Sequence, residues 1–395
     1  MQLMQAAKKL STLLRLCAGS LCLWQAASAG VLPEDRADVL YHNYSGGGIT
    51  IQGPSVLVRK KIGDSVSVSG NYYVDMISSA SIDVVTQASP MCKSACYKEE
   101  RRQGSVGVDY LHGKTTYSAG YIDSNEPDYK SKTGYLSVSQ DMFGDLTTVS
   151  FGYTRGWDQV GERDHVNNVT NWVGNTDRAN WQVGLSQVLT RKLLLGLNYE
   201  TTESQGVLNN PYRSIRYVDA SNGNGYSWDK EVYPHTRTGN AISAELKYYL
   251  PWRAALDGSY RFYSDTWGIQ AHTARLGYTQ PWKGWTFDGR LRFYTQTHAT
   301  FYSDLFPYAN AQNFMARDRE LATFTNVTLG AGAAWQFKVA RAPWIDKGTL
   351  NLSWDHLHIA YDDFRDVRVT TSSPGTEPLY VLDADVLQFF ISIWY

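Results

Sequence analysis

Long apolar runs are what this 395-residue chain lacks first: after residue 29 no segment stays apolar for the ~20 residues that a membrane helix needs. Cysteine is also scarce, with only Cys92 and Cys96 beyond residue 29, which excludes a disulfide-dense scaffold. Neither charge sign dominates. With 37 Lys+Arg against 38 Asp+Glu there is no basic excess for a nucleic-acid partner. The hydrolase signatures G-x-S-x-G and H-E-x-x-H are missing, and the eight histidines are scattered. Neither an enzyme nor a resident cofactor is expected on these grounds.

What is present begins with an export-like leader. "MQLMQAAKKLSTLLR" carries Lys8, Lys9 and Arg15, "LCAGSLCLW" is a short apolar core, and Ala27 and Ala29 flank Ser28. This layout predicts a secretory signal peptide over 1–29, leaving a mature chain of 30–395. A membrane anchor would need a longer core, and Leu21 is too bulky for lipoprotein processing at Cys22. Removing the three leader cations leaves 34 Lys+Arg against 38 Asp+Glu, a formal charge of −4.

The mean hydropathy is −0.37, yet the chain holds 27 Tyr and 13 Trp. A two-domain soluble protein and a membrane β-barrel could both have these totals, and period-two patterning separates them. In "LLLGLNYE", Leu193, Leu195, Leu197 and Tyr199 oppose Gly196, Asn198 and Glu200. In "WTFDGRLRFY", Trp285, Phe287, Leu291 and Phe293 oppose Asp288, Arg290 and Arg292. "SVSVSGNYYVDM", "AISAELKYYL" and "NVTLGAGAAWQF" repeat the alternation, which marks strands with one apolar and one polar face.

Strands are expected near 49–60, 65–78, 99–112, 115–124, 130–141, 146–158, 177–189, 193–204, 238–249, 254–264, 270–280, 285–298, 320–337, 348–362 and 380–395. Tight turns at "KIGD", "LHGK", "MFGD", "LTRK", "LPWR" and "QPWKG" alternate with long polar loops near 79–98, 159–176, 205–237, 299–319 and 363–379. Short turns on one side and long loops on the other predict an all-β, transmembrane, antiparallel up-and-down outer-membrane barrel. "RADVLYHNYSGGG" supplies a first strand and a Gly-rich turn, making about sixteen strands, or fourteen if one hairpin stands outside the membrane.

In the closing "DADVLQFFISIWY", Phe389, Ile391, Ile393 and Tyr395 share one face with Leu387. In a barrel that face meets lipid, and the strand must pair with the first one so that no backbone edge is left in hydrocarbon. The pattern resembles the terminal signal read by the outer-membrane assembly machinery. Pro251-Trp252, Pro281-Trp282 and Pro343-Trp344 sit in short turns, where indoles favour a membrane interface and Pro also serves ordinary turn chemistry.

Alternation places Glu245, Lys247, Asp257, Arg261, Arg275, Asp288, Arg290 and Arg292 on the inward face, as pore-lining candidates. The plainer reading is a salt-bridged wall that stiffens the barrel or fills a closed lumen. Cys92 and Cys96 in "SPMCKSACYKEE" are disulfide candidates, with a soft metal held by Met91 and both thiols as the weaker option. His356 and His358 in "WDHLHIAYDDFRD", with Asp363, are metal candidates against a favoured reading of a solvated strand end. The aromatic loops 205–237 and 299–319 could bind sugars or partner proteins, but a lid over the barrel mouth is the leading expectation.

The stretch "PEDRADVLYHNYSGGGITIQGPSVLVRKKIGDSVSVSGNYYVDMISSASIDVVTQASP", followed by "YKEERRQ" and "DKGTLNLSWDHLHIAYDDFRD", resembles an uncharacterised family of proteobacterial outer-membrane proteins, defined as a domain of unknown function. The resemblance covers almost the whole mature chain. It implies an outer-membrane barrel in contact with outer-membrane lipid and with no established activity. It also implies a link to extracytoplasmic redox work through a periplasmic lipoprotein or redox partner. The expected role is a non-enzymatic pore for small polar solutes; the alternatives are a sheath or docking barrel for such a partner, or an outer-membrane hydrolase.

Overall fold

The computed structural model of the protein describes residues 31–79, 98–164, 169–339 and 342–395. The expected leader and the candidate pair Cys92 and Cys96 lie outside these residues. Strands follow one another as β1 (Arg36–Gly46), β2 (Ile49–Ile62), β3 (Val66–Ser79), β4 (Lys98–His112), β5 (Thr115–Asn125), β6 (Tyr129–Met142), β7 (Thr147–Asp164), β8 (Val169–Thr190) and β9 (Leu193–Gly206). A short hairpin, β10 (Ser214–Val218) and β11 (Tyr226–Lys230), interrupts the series. It resumes with β12 (Thr236–Tyr249), β13 (Ala255–Asp265), β14 (Gln270–Trp282), β15 (Trp285–Gln296), β16 (Phe324–Phe337), β17 (Lys347–Arg365) and β18 (Leu379–Trp394).

All strands except β10 and β11 form one closed antiparallel barrel of sixteen, each bonded to its sequence neighbours. The ring closes where β1 meets β18, in a register running from Arg36 opposite Trp394 to Gly46 opposite Ala384. Closure leaves no unpaired strand edge, the condition for backbone to cross hydrocarbon. The alternation in the sequence becomes the two faces of the wall. On β15, Trp285, Phe287, Leu291 and Phe293 are exposed outside, while Asp288, Arg290 and Arg292 point to the lumen. On β18, Leu387 and Phe389 are outside and Val386 is buried within.

One rim carries both termini of the barrel strands and the tight turns; the other carries the long connections. At the turn rim, Gly63, Gly113 and Gly144 take φ near +60°, which lets the chain reverse within a few residues. Trp252, Trp282 and Trp344 of the three Pro-Trp turns are all more than half exposed there. Tyr395 is fixed at the seam on the same rim. Its hydroxyl donates to the Arg59 carbonyl at 3.1 Å, and the Lys60 ammonium lies 4.9 Å from its ring centroid.

Two expected loops are corrected. The region 159–176 is largely strand, because β7 continues to Asp164 and β8 begins at Val169, with a register shift between Val160 and Gly161. Their polar outer ends satisfy backbone groups by pairing above the apolar belt. The region 205–237 contains the β10–β11 hairpin rather than unbroken loop.

Candidate functional site: a polar lumen beneath a lid

Across β3–β9 the lumenal wall carries partly exposed uncharged polar side chains, among them Ser69, Asn71, Ser105, Ser137, Ser150, Gln182 and Asn198, beside charged ones such as Arg178 and Glu200. Interior glycines let larger neighbours lie flat on this wall. A Cβ on Gly120 would come within 2.3 Å of the Tyr135 ring, and one on Gly277 within 2.3 Å of the Asp257 carboxylate.

The eight candidate lumenal residues all lie on β12–β15. Cross-strand register arranges them in rows. One row reads Lys247, Asp257, Gly277, Arg290, Gly330, Asp355, so charges alternate in sign and glycine stands on either side of Arg290. Arg290 uses that space to reach both oxygens of Asp355 at 2.7 Å each, and it donates to Asp288 at 2.6 Å. The next row toward the loop rim reads Glu245, Ser259, Arg275, Arg292, Thr328. Glu245 lies 3.4 Å from Lys247, and Arg261 donates to Glu200 at 3.3 Å. The expected basic strip is therefore interleaved with acids. Arg290 and Arg261 are engaged by carboxylates, and Arg275 lies opposite Arg292 on the neighbouring strand.

The trio His356, His358 and Asp363 does not converge. His356 and His358 face outward and meet Asp385 at 3.0 Å and Asp383 at 2.7 Å. Asp363 instead meets His298 at 2.8 Å and accepts from the Thr323 backbone N–H at 2.8 Å. Among the described residues no group of three or more His, Cys, Asp or Glu side chains is arranged to hold a metal ion. Ser45 lies opposite Asp385 and Asp385 opposite His356, so the carboxylate separates the hydroxyl from the imidazole. A hydrolytic relay needs the imidazole between them. Of the terminal-strand candidates, Phe389, Ile391 and Ile393 pair with Tyr41, Val39 and Ala37 across the seam, and Tyr395 ends that face.

At the loop rim the lumen is filled. Residues 207–235, 297–323 and 366–378 fold over the mouth. Phe301, Tyr302, Ala316 and Leu321 pack against Ile49, Ile51, Leu357, Tyr361, Leu382 and Val386 of the wall, in one buried apolar cluster. The aromatic loops thus pack as a lid, although Tyr308 and Phe314 remain exposed. On the wall toward the same rim, His42, Asp75 and Arg101 are each at most 3% exposed, with His42 Nε2 2.7 Å from Asp75.

Sequence reasoning missed the charges that join the lid segments. Arg216 on β10 is fully buried and reaches Asp304 Oδ2 at 2.8 Å and Glu377 Oε2 at 3.2 Å, so it ties all three segments together. Arg317 donates from Nε to Asp304 at 3.0 Å, and its guanidinium lies 4.5 Å from the Phe364 ring centroid. Burial is the largest single influence and works to raise the Glu377 carboxyl, but the Arg216 hydrogen bonds and charge, together with backbone N–H donors including Gly375, hold the group below the usual carboxylate range. Glu231 behaves oppposite to this: burial, reinforced by Asp318, pushes it up to about 8. Its oxygens accept from the Arg317 backbone N–H at 2.7 Å and the Tyr233 hydroxyl at 2.9 Å. Lone charges inside aromatic loops were the available signal, but nothing in sequence pairs residues 88 and 161 positions apart.

Comparison with solved structures finds barrels at very low sequence identity. A bacterial polysaccharide outer membrane secretin aligns with a TM-score of 0.46 at 10% identity, over 92% of this chain and 100% of the other. OccK2 (OpdF) of Pseudomonas aeruginosa gives 0.41 at 10% identity, over 93% and 100%. The siderophore receptor PirA of Pseudomonas aeruginosa gives 0.42 at 10% identity, over 92% of this chain and 63% of the receptor. No curated protein sequence matches the chain. One family model does match, over residues 82–349 and so over more than half of the chain, and this sixteen-strand barrel belongs to the family described as "Protein of unknown function (DUF3570)".

Proposed function

We propose that the protein is a lidded outer-membrane channel that passes small polar solutes through the barrel lumen. The outer-membrane placement is supported by the apolar exterior of a closed β-wall, which suits hydrocarbon and not water. One observation carries the channel reading. Lumenal polar side chains from Ser69 to Asn198 and Arg275 stay water-accessible, while His42, Asp75 and Arg101, nearer the loop rim, are buried. Sixteen strands enclose an aqueous interior as a matter of geometry. The lid then sets when that interior connects to the outside.

Planar-bilayer recording tests this reading. Purified protein should give discrete conductance steps, and a variant lacking 205–237 should give larger or longer ones. Both proteins must first show heat-modifiable gel migration, the mark of a folded barrel. Silence from both folded proteins would remove the channel reading.

A further inference from the structure

We infer that four neighbouring turns at the turn rim form a basic, tryptophan-bearing arc that binds the headgroups of anionic phospholipids in the adjacent leaflet. The turns are those joining β8 to β9, β12 to β13, β14 to β15 and β16 to β17. The inference rests on the membrane placement proposed above and not on the channel reading.

Charge divides this rim into two parts. The turns of residues 63–65, 113–114 and 143–146 carry Asp64, Lys114 and Asp145, and Lys114 is held by Asp145 at 2.6 Å. The next four turns are contiguous around the barrel. They carry Arg191, Lys192, Arg253, Lys283 and Lys338 against Asp346 among the described residues. All five cations are exposed, and among the described residues none is paired with a carboxylate.

The exposed indoles of Trp252, Trp282 and Trp344 belong to three of the same four turns. Indole rings settle at headgroup level, so they set the depth of the charges beside them. Trp252 donates from Nε1 to the Tyr278 hydroxyl at 3.1 Å, and Arg253 follows it. Lys283 follows Trp282, with its ammonium 5.0 Å from the indole centroid. Both cations take left-handed backbone, with φ of 68° at Arg253 and 55° at Lys283. Glycine fits such backbone with less strain, yet both positions hold a long charged side chain. The indoles put these cations where lipid phosphates already lie, whereas an acidic protein would have to displace the lipids. In a zwitterionic headgroup the lipid's own cation offsets the phosphate, which leaves the advantage with a net anionic lipid. Each Lys or Arg near an anionic surface strengthens attraction about fivefold.

The test uses the full mature protein in detergent micelles holding equal amounts of phosphatidylglycerol and phosphatidylcholine, with bound lipids counted by native mass spectrometry. Heat-modifiable migration must first show that each protein is folded. The unaltered protein should retain phosphatidylglycerol over phosphatidylcholine by about fivefold or more. That preference should disappear in Arg191→Gln/Lys192→Gln/Arg253→Gln/Lys283→Gln. The double variants Arg191→Gln/Lys192→Gln and Arg253→Gln/Lys283→Gln should each lower it part of the way, and they decide if the fourfold variant does not fold. A control of equal charge, Arg102→Gln/Lys130→Gln/Lys132→Gln/Lys230→Gln, removes cations toward the loop rim and should keep the preference. Equal retention of both lipids by the unaltered protein, or an equal fall in variant and control, would overturn the arc. Inorganic phosphate at matched ionic strength should leave the ratio unchanged, and displacement of the lipid by it would overturn a headgroup as the ligand. Folded protein that fails to enter lipid vesicles would remove the membrane placement and the arc together. Entry with equal retention of the two lipids removes the arc alone.

Discussion

Arg216 and Glu377, 161 residues apart in sequence, meet as a fully buried ion pair in the lid, with Asp304 as the second carboxylate on the same guanidinium. Removing one partner of a buried pair leaves charge without compensation, at a cost of about 3–5 kcal/mol. Arg216→Ala is therefore expected to open the lid while leaving the barrel folded. Hydrogen exchange in 299–318 should quicken by about two orders of magnitude or more, with unchanged heat-modifiable migration. Unaltered exchange would show that the apolar packing alone holds the lid.

Lid stability should fall as pH rises, and Glu231 is the reason. Its carboxyl is raised to about 8 in the shut lid against an ordinary value of 4.5, with Asp318, Arg213, Tyr233 and the Arg317 N–H around it. Between those limits the buried group keeps its proton and an exposed one loses it. The shut lid is fully favoured below about pH 4.5 and loses up to about 1.4 kcal/mol per pH unit on the way to about 8. Hydrogen exchange in 226–233, corrected for its intrinsic rate, should accelerate across that window. Glu231→Gln should flatten the dependence.

Gly330 holds the place where Asp355 and Arg290 cross the wall. A Cβ there would stand 2.1 Å from Asp355 Oδ1 and 2.6 Å from Arg290 Nε. Gly330→Ala should displace the pair and destabilise the barrel by about 1–3 kcal/mol. The shift between folded and unfolded gel bands should then occur at a lower temperature. Gly289→Ala, which meets nothing within 4 Å, should not lower it.

Tyr395→Ala should slow closure of the seam. It deletes both the hydroxyl bond to Arg59 and the Lys60 contact, the latter worth roughly 0.5–1 kcal/mol at an exposed site. The half-time for appearance of the fast-migrating band during folding into detergent or lipid should lengthen, and Tyr395→Phe, which keeps the ring, should fall between. Equal half-times for all three would place seam formation outside the slow step.

The strand series was legible because the two faces of a membrane wall meet opposite solvents, so Leu193 to Tyr199 or Trp285 to Phe293 had to alternate. Beyond the apolar belt that contrast disappears. The outer ends of β7 and β8 carry "DQVGERD" and "VTNWVGN", polar on both faces, and pair without announcing it. The β10–β11 hairpin left a trace in the turn sequence "SNGNG", between two short runs of aromatic and β-branched residues. Parity was enough to place Arg290 on the lumenal face. Its pairing with Asp355, 65 residues away, needed the register of three strands. The lid charges needed more still, since Arg216, Asp304 and Glu377 belong to separate connections whose docking is set by the apolar cluster beneath them.

The three pieces of the lid leave the wall after β9, β15 and β17, and the last of them precedes the strand that seals the cylinder. During biogenesis the clasp around Arg216 thus stays incomplete until the final hairpin arrives. A half-built sheet is an uncovered trough, and shutting the mouth becomes a sign that construction has finished.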